Sequence, residues 1–220
     1  MKGYLCALLE VSIFLTISSY IFGHTELHSI NWLVCTWLMF TTLTGIWETK
    51  YLSSRHDISE YARQLIYNHQ HVWTNEYNPI VVWVYYFSKL FYAEYGAWAD
   101  REYMFYTDGW SFTVEGTHCF ICAFFSTLSL LAQINGNTTL FIVLAAIAMS
   151  SQLMNSIMYL RQYCIQCATP TSVNYNCSNF PCGSFLMKRP FMWINALWIA
   201  MPTFVCAYLV HMTYSMAMHG

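Results

Sequence analysis

Long apolar runs separated by short polar joints set the rhythm of this chain. Five stretches read as membrane-spanning helices, over residues 4–22, 30–47, 110–133, 138–160 and 191–211. Each approaches or exceeds the roughly 20 helical residues that cross a hydrocarbon core of about 30 Å. Between the second and third lies a segment of different character. Residues 53–78 are the most polar part of the chain, and residues 79–110 are crowded with Trp, Tyr and Phe. Amphipathic rings favour the membrane–water boundary. The pattern therefore predicts an interfacial helix around residues 80–95, as an anchor belt or as a lid over a lipid-entry opening. Lys2 precedes the first run as it would in a signal peptide, but Glu10 interrupts the run and no small-residue cleavage site follows cleanly. An uncleaved first span is expected. Without an internal repeat or linker, residues 1–220 read as one membrane domain.

Composition agrees with this pattern. Apolar residues make up 57% of the chain and charged ones only 9%, against about 25% in soluble domains. So few charges cannot cover a globule of this size, and lipid must cover much of it. The fold class expected is an all-α integral membrane protein, a five-transmembrane-helix bundle with an aromatic-rich interfacial segment. The net charge of −2 comes with no basic stripe, so no nucleic-acid partner is expected.

Orientation is pulled two ways. With five spans, all nine Lys and Arg fall on one side, which places the N-terminus in the cytosol. The loop on that same side, residues 161–190, carries Cys164, Cys167, Cys177 and Cys182 and the glycosylation acceptor pattern Asn176-Cys177-Ser178. That content suits a lumen. Disulfides, free thiols and a zinc site at this spacing all stay open. Cys119 and Cys122, inside a span beside His118, read as small apolar residues rather than metal ligands. His24, His28, His69 and His71 read as surface histidines.

Ionisable groups inside a span are costly and mark function by default. Thr44-Gly-Ile-Trp47-Glu48 closes the second span. Asp108 and Glu115 open the third, with His118 three residues on, so Glu115 and His118 share a helix face. Asn195 and Trp198 repeat that spacing on the fifth. Gln152, Asn155, Ser156 and Tyr159 form a polar stripe on the fourth. Stripes that faced lipid would lack partners, so they are expected to face one another. For Gln152 and Asn155 the bland role, hydrogen-bonding between helices, is favoured. A Glu held protonated in an apolar site can give up that proton. His118 can relay it, and a Trp face steadies a transient carbocation. This is acid–base equipment for moving a carbon–carbon double bond in an apolar substrate.

Glu94-Tyr95, Asp100-Arg-Glu-Tyr103, the seven-residue step from Asp108 to Glu115, and Asn195-Ala-Leu-Trp198 with Pro202 together resemble the emopamil-binding protein family of the EXPERA superfamily. Its type members are sterol Δ8–Δ7 isomerases of the endoplasmic reticulum. The resemblance covers about residues 40–209 and implies five spans enclosing a sterol-sized cavity that opens to the membrane. Position by position, Glu115 and Glu48 match the family's two acids. Asn195 and Trp198 match its cavity residues, and Tyr159 and Gln152 match further positions. Thr44 stands where the isomerases carry His, and His118 where they carry Thr. This exchange suggests that His118 supplies the imidazole from the opposite wall. Asn155-Ser156 replaces Gly-Asp, and the polar segment after Glu48 is longer than usual.

Taken together, Glu48, Glu115, His118 and Asn195 are the expected catalytic residues, and Thr44, Trp47, Gln152, Tyr159 and Trp198 the expected substrate contacts. Neither a cofactor nor a metal is expected. The resemblance implies a sterol or terpenoid substrate, membrane lipids as surroundings and a multi-pass location in the endoplasmic reticulum membrane. A homodimer is left open. A terpenoid cyclase using the same cation chemistry and a non-catalytic sterol- or lipid-binding receptor are the other readings.

Overall fold

A computed structural model describes residues 1–78, 84–102, 109–175 and 194–219, excepting the side chains of residues 84–86, 109–112 and 219. Among these the chain is helical, and the one β-type pairing is an isolated bridge between Lys2 and Glu76. The helices are α1 (Gly3–His24), α2 (Trp32–Ser53), α3 (Arg55–Tyr67), α4 (Val84–Trp98), α5 (Gly109–Ile134), α6 (Thr138–Ala168) and α7 (Leu197–His219). A short 3₁₀ turn, Glu26–Ser29, joins α1 to α2.

The helix ends follow local chemistry. Asn31 caps α2, its Oδ1 accepting from the Leu33 N–H at 2.8 Å. Gly136, at φ +72°, closes α5 in left-handed backbone that an L side chain resists. The Asn137 N–H then reaches back to Ala132 O at 2.9 Å, the long bond of a Schellman ending. Asn137 also caps α6 through Leu140 N–H at 3.0 Å. One glycine and one asparagine thus turn α5 into α6.

Four helical segments are long and apolar enough to cross a membrane: Gly3–His24, Thr113–Ile134, Thr138–Ala168 and Ile194–Met218. The chain is accordingly an all-helical, multi-pass membrane protein. The expected second span is a helix of 22 residues, about 33 Å long at 1.5 Å per residue, yet it is not one of the four. Its sequence contains Thr41, Thr42, Thr44, Glu48, Thr49 and Lys50, and Val34, Cys35, Leu38, Thr41 and Glu48 are buried in protein. A helix covered by its neighbours has less need of a uniformly apolar surface. The helix expected around residues 80–95 is α4, shifted towards the C-terminus, and residues 79–83 lie outside the described residues. So do Tyr103, Asp108, Asn176, Cys177, Cys182, Lys188 and Arg189.

The chain divides into two compact units, each assembled from separate stretches. The first comprises Met1–Ile13, Trp47–Gly116 and Met158–Ala196; the second comprises Phe14–Ile46, Thr117–Ile157 and Leu197–Gly220. In the first, the amphipathic α3 turns Ile58, Ala62 and Leu65 inward and packs on α4. In the second, Val34 and Leu38 of α2, Leu130 of α5, Phe141, Ala145 and Met149 of α6, and Val205 and Leu209 of α7 form one apolar core.

Gly45 sets how closely α2 and α5 approach in that second unit. A Cβ there would stand 2.5 Å from Ala123 Cβ and 3.1 Å from Cys119 O, and backbone cannot give way as a flexible side chain can. Small residues at such crossings let membrane helices touch along their backbones. Gly45→Ala is expected to destabilise the protein by about 1–3 kcal/mol, read as a lower unfolding midpoint in detergent. An unchanged midpoint would mean that α2 and α5 can separate without cost.

Candidate functional site

The strongest concentration of polar groups lies in the first unit, in two neighbourhoods. The first is built from the end of α2, the start of α5 and the face of α4. Glu48 is buried at 6% exposure, and its carboxylate accepts a hydrogen bond from the Tyr92 hydroxyl. Carboxylate oxygens of Glu48 and Glu115 lie within 4.8 Å of each other. Beside them Gly116 faces Leu52, whose Cδ1 would stand 3.3 Å from a Cβ added there. Aromatic rings pair off at the α2 residues near Glu48. Trp47 packs against Phe87 and Phe91 with centroids 5.4 and 6.1 Å apart, and Tyr51 stacks on Tyr92 at 4.6 Å. Two carboxyl groups this close can hold one proton between them. They would also suit one edge of a divalent-cation site, a role not expected from residue type and spacing.

The second neighbourhood is a chain of hydrogen bonds ending on a fully buried carboxylate. Asn195, in the turn before α7, donates from Nδ2 to the Tyr95 hydroxyl at 3.0 Å. The hydroxyls of Tyr95 and Tyr159 bond to each other, and Tyr159 donates to Asp100 Oδ2 at 2.7 Å. On the far side Asn174 Nδ2 donates to Asp100 Oδ1 at 2.8 Å and to Gln166 Oε1 at 3.1 Å. The Arg101 N–H donates to Asn174 Oδ1 at 3.1 Å. Asp100 is 0% exposed, so these donors replace water around it. Burial pushes the Tyr95 phenol well above its ordinary value, which keeps it a neutral hydroxyl.

Of the expected site residues, Trp47, Glu48, Glu115, Tyr159 and Asn195 belong to this unit. Thr44, His118, Gln152 and Trp198 belong to the other. There, Gln152 accepts from Trp37 Nε1 at 3.0 Å and donates to Thr41 Oγ1 at 3.3 Å, a joint between α2 and α6. Trp198 stands edge-on to Trp37 with centroids 5.8 Å apart. His118, half-buried, pairs its Nδ1 with Ser151 Oγ at 3.3 Å and lies beside Cys122 Sγ at 3.5 Å. Thr44 donates to the carbonyl of Thr41 at 3.1 Å within its own helix.

Several polar partners were not anticipated as site residues. Tyr92, Asp100, Asn174 and Gln166 are among them, and so is the pair between His71 and Glu94. His71 is exposed, as expected of a surface histidine, but its Nδ1 meets Glu94 Oε1 at 2.6 Å and its ring stacks on Trp98. The Val72 N–H donates to Glu94 Oε2 at 2.9 Å. Glu94, at 3% side-chain exposure, is held above the usual carboxylate range by burial, which outweighs these bonds.

A raised folded-state value means that the folded chain keeps this proton more readily than the unfolded one. The associated stability is full below the unfolded carboxylate value and is lost as pH rises through the folded one. Glu94→Gln removes the ionisation, so its unfolding midpoint should exceed the wild type's at pH 7 and approach it near pH 4. Unfolding in detergent across that range is the check. A variant that loses ground to the wild type as pH rises would show the His71 bond outweighing burial.

No family model, curated protein or solved structure matches the chain.

Proposed function

We propose that this protein is a membrane-embedded isomerase that shifts a carbon–carbon double bond in a sterol or related triterpenoid. The observation that carries this reading is the close pair of carboxyl groups, Glu48 and Glu115, set among aromatic rings in a membrane protein. The neutral member gives its proton to one alkene carbon and leaves a carbocation on the other. The ionised member, or His118 a short step along α5, takes a proton from a neighbouring carbon. Faces such as that of Trp47 steady the cation between the two events. One proton enters and one leaves, so the reaction needs no cofactor.

The reading also rests on the resemblance to the emopamil-binding protein family. It takes α2 as the fifth span and the endoplasmic reticulum as the membrane. Asn195 is taken as a polar group of the site, oriented through Tyr95 and Tyr159. One observation favours a non-catalytic sterol-binding receptor instead: Glu48 already has a partner in Tyr92, as a purely structural acid would. A terpenoid cyclase would use the same two acids in a cavity of different shape.

The test is product analysis in a host that lacks its own Δ8–Δ7 isomerase. Expression of the wild-type chain should restore the shifted sterol. Sterol that binds the purified protein and is recovered unchanged would favour the receptor, and a new carbon skeleton would favour the cyclase.

A further inference from the structure

Helix α3 ends in a conformation its sequence does not favour. The Gln70 N–H bonds to Leu65 O at 2.9 Å and the His69 N–H to Ile66 O at 3.2 Å, the paired bonds of a Schellman ending. The residue between helix and exit adopts left-handed backbone in this motif, and glycine is its usual occupant. Here it is His69, at φ +52°, the one residue other than glycine with positive φ among the described residues. Any L side chain meets a steric penalty there that glycine avoids. Strain held at one position invites the question of what its side chain does.

His69 lines a cleft of about 380 Å³ together with Arg63, Ile66 and Tyr67. Arg63 and Tyr67 are four residues apart and so lie on one face of α3. Tyr67 is 85% exposed, an aromatic ring that the fold leaves almost uncovered. Arg63 has a carboxylate neighbour in Glu60 at 3.5 Å, with both side chains about 60% exposed. An exposed pair of this kind is worth little and is readily exchanged for a better anion.

We propose that this cleft binds the phosphate of an anionic lipid headgroup. The Arg63 guanidinium and the His69 imidazole donate to the phosphate oxygens, and the Tyr67 ring lies against the headgroup at the membrane boundary. Arginine is suited to paired donation to phosphate. The volume falls within the range of small-molecule sites and exceeds what a bare phosphate needs. A soluble phosphate ester would present the same chemistry. The lipid source is favoured because the chain spans a membrane and because an exposed tyrosine is typical of the lipid–water boundary.

The experiment uses the full chain in an uncharged detergent and follows thermal unfolding during titration. The probes are dihexanoyl phosphatidic acid, dihexanoyl phosphatidylcholine and inorganic phosphate. Phosphatidic acid should raise the midpoint while phosphatidylcholine leaves it in place, and inorganic phosphate should act only at far higher concentration. Arg63→Gln and His69→Gly should each weaken half-saturation by about tenfold or more, since each removes a donor to a charged group. His69→Gly should also raise the midpoint without ligand, because glycine relieves the left-handed backbone.

Inorganic phosphate acting as strongly as phosphatidic acid would overturn the lipid source in favour of a soluble phosphate. A shift with phosphatidylcholine of equal size, or a phosphatidic acid response undiminished in both variants, would overturn the site itself. So would a ligand-free His69→Gly protein less stable than the wild type, since the histidine would then serve the fold.

Discussion

Replacing Glu115 by Gln should reduce the shifted sterol in an isomerase-deficient host by about 10²–10⁴-fold, the range over which general acid–base groups act. The protein should still accumulate at the wild-type level. Gln fills nearly the same volume and keeps hydrogen-bonding capacity, so packing between α5 and the end of α2 is preserved. What is lost is the proton that the carboxyl pair can hold. Glu48→Gln should have an effect of similar size, because the proposed reaction uses both acids on one substrate in sequence. Tyr92→Phe separates structure from chemistry, since it removes the hydroxyl that Glu48 accepts from and leaves both carboxyls in place. If Glu48 is catalytic, that variant should keep measurable turnover. His118→Ala should lose turnover and remain folded, its side-chain partners among the described residues being Ser151 and Cys122. Turnover should survive a metal chelator. Full rescue by Glu115→Gln would remove the carboxyl pair from the chemistry and leave the receptor as the better account.

The helices were legible in the sequence because burial in lipid leaves a strong mark: long apolar runs have few other uses. The turn at Gly136 and Asn137 was open to reading from residue type, though its geometry was not. Helix α2, the expected second span, was harder. Thr41 and Glu48 are tolerated in it because protein covers them, and coverage cannot be seen from one sequence. The pairing of Glu48 with Tyr92 joins positions 44 residues apart, beyond the reach of any helical period. Asp100 stands out in the sequence only as part of a family-like motif. Its partners Tyr159 and Asn174 are contributed by α6 and the segment after it, and only the folded chain brings them to one carboxylate. His71 looked like a surface histidine and is one, but exposure said nothing of the buried acid beneath its ring. Helical spacing found which groups share a face; it could not find which faces meet.

Asp100→Leu is expected to cost about 3–5 kcal/mol of stability, because donors buried around it lose their acceptor and water cannot reach them. Asp100 is 0% exposed, and it accepts from both Tyr159 and Asn174. Leucine fits the volume but accepts nothing. Asp100→Asn keeps one acceptor oxygen and turns an amide donor towards another donor, so its loss should be smaller. Unfolding of both variants in detergent gives the comparison, and a leucine variant within about 1 kcal/mol of the wild type would show that the network relaxes freely. The same substitutions probe the site at a distance. Asn195 is fixed through Tyr95 and Tyr159 to Asp100. Asp100→Asn should therefore weaken substrate positioning and raise KM more than it lowers kcat, the reverse of Glu115→Gln. An aspartate that served the fold alone would change neither constant once the folded fraction was equalised.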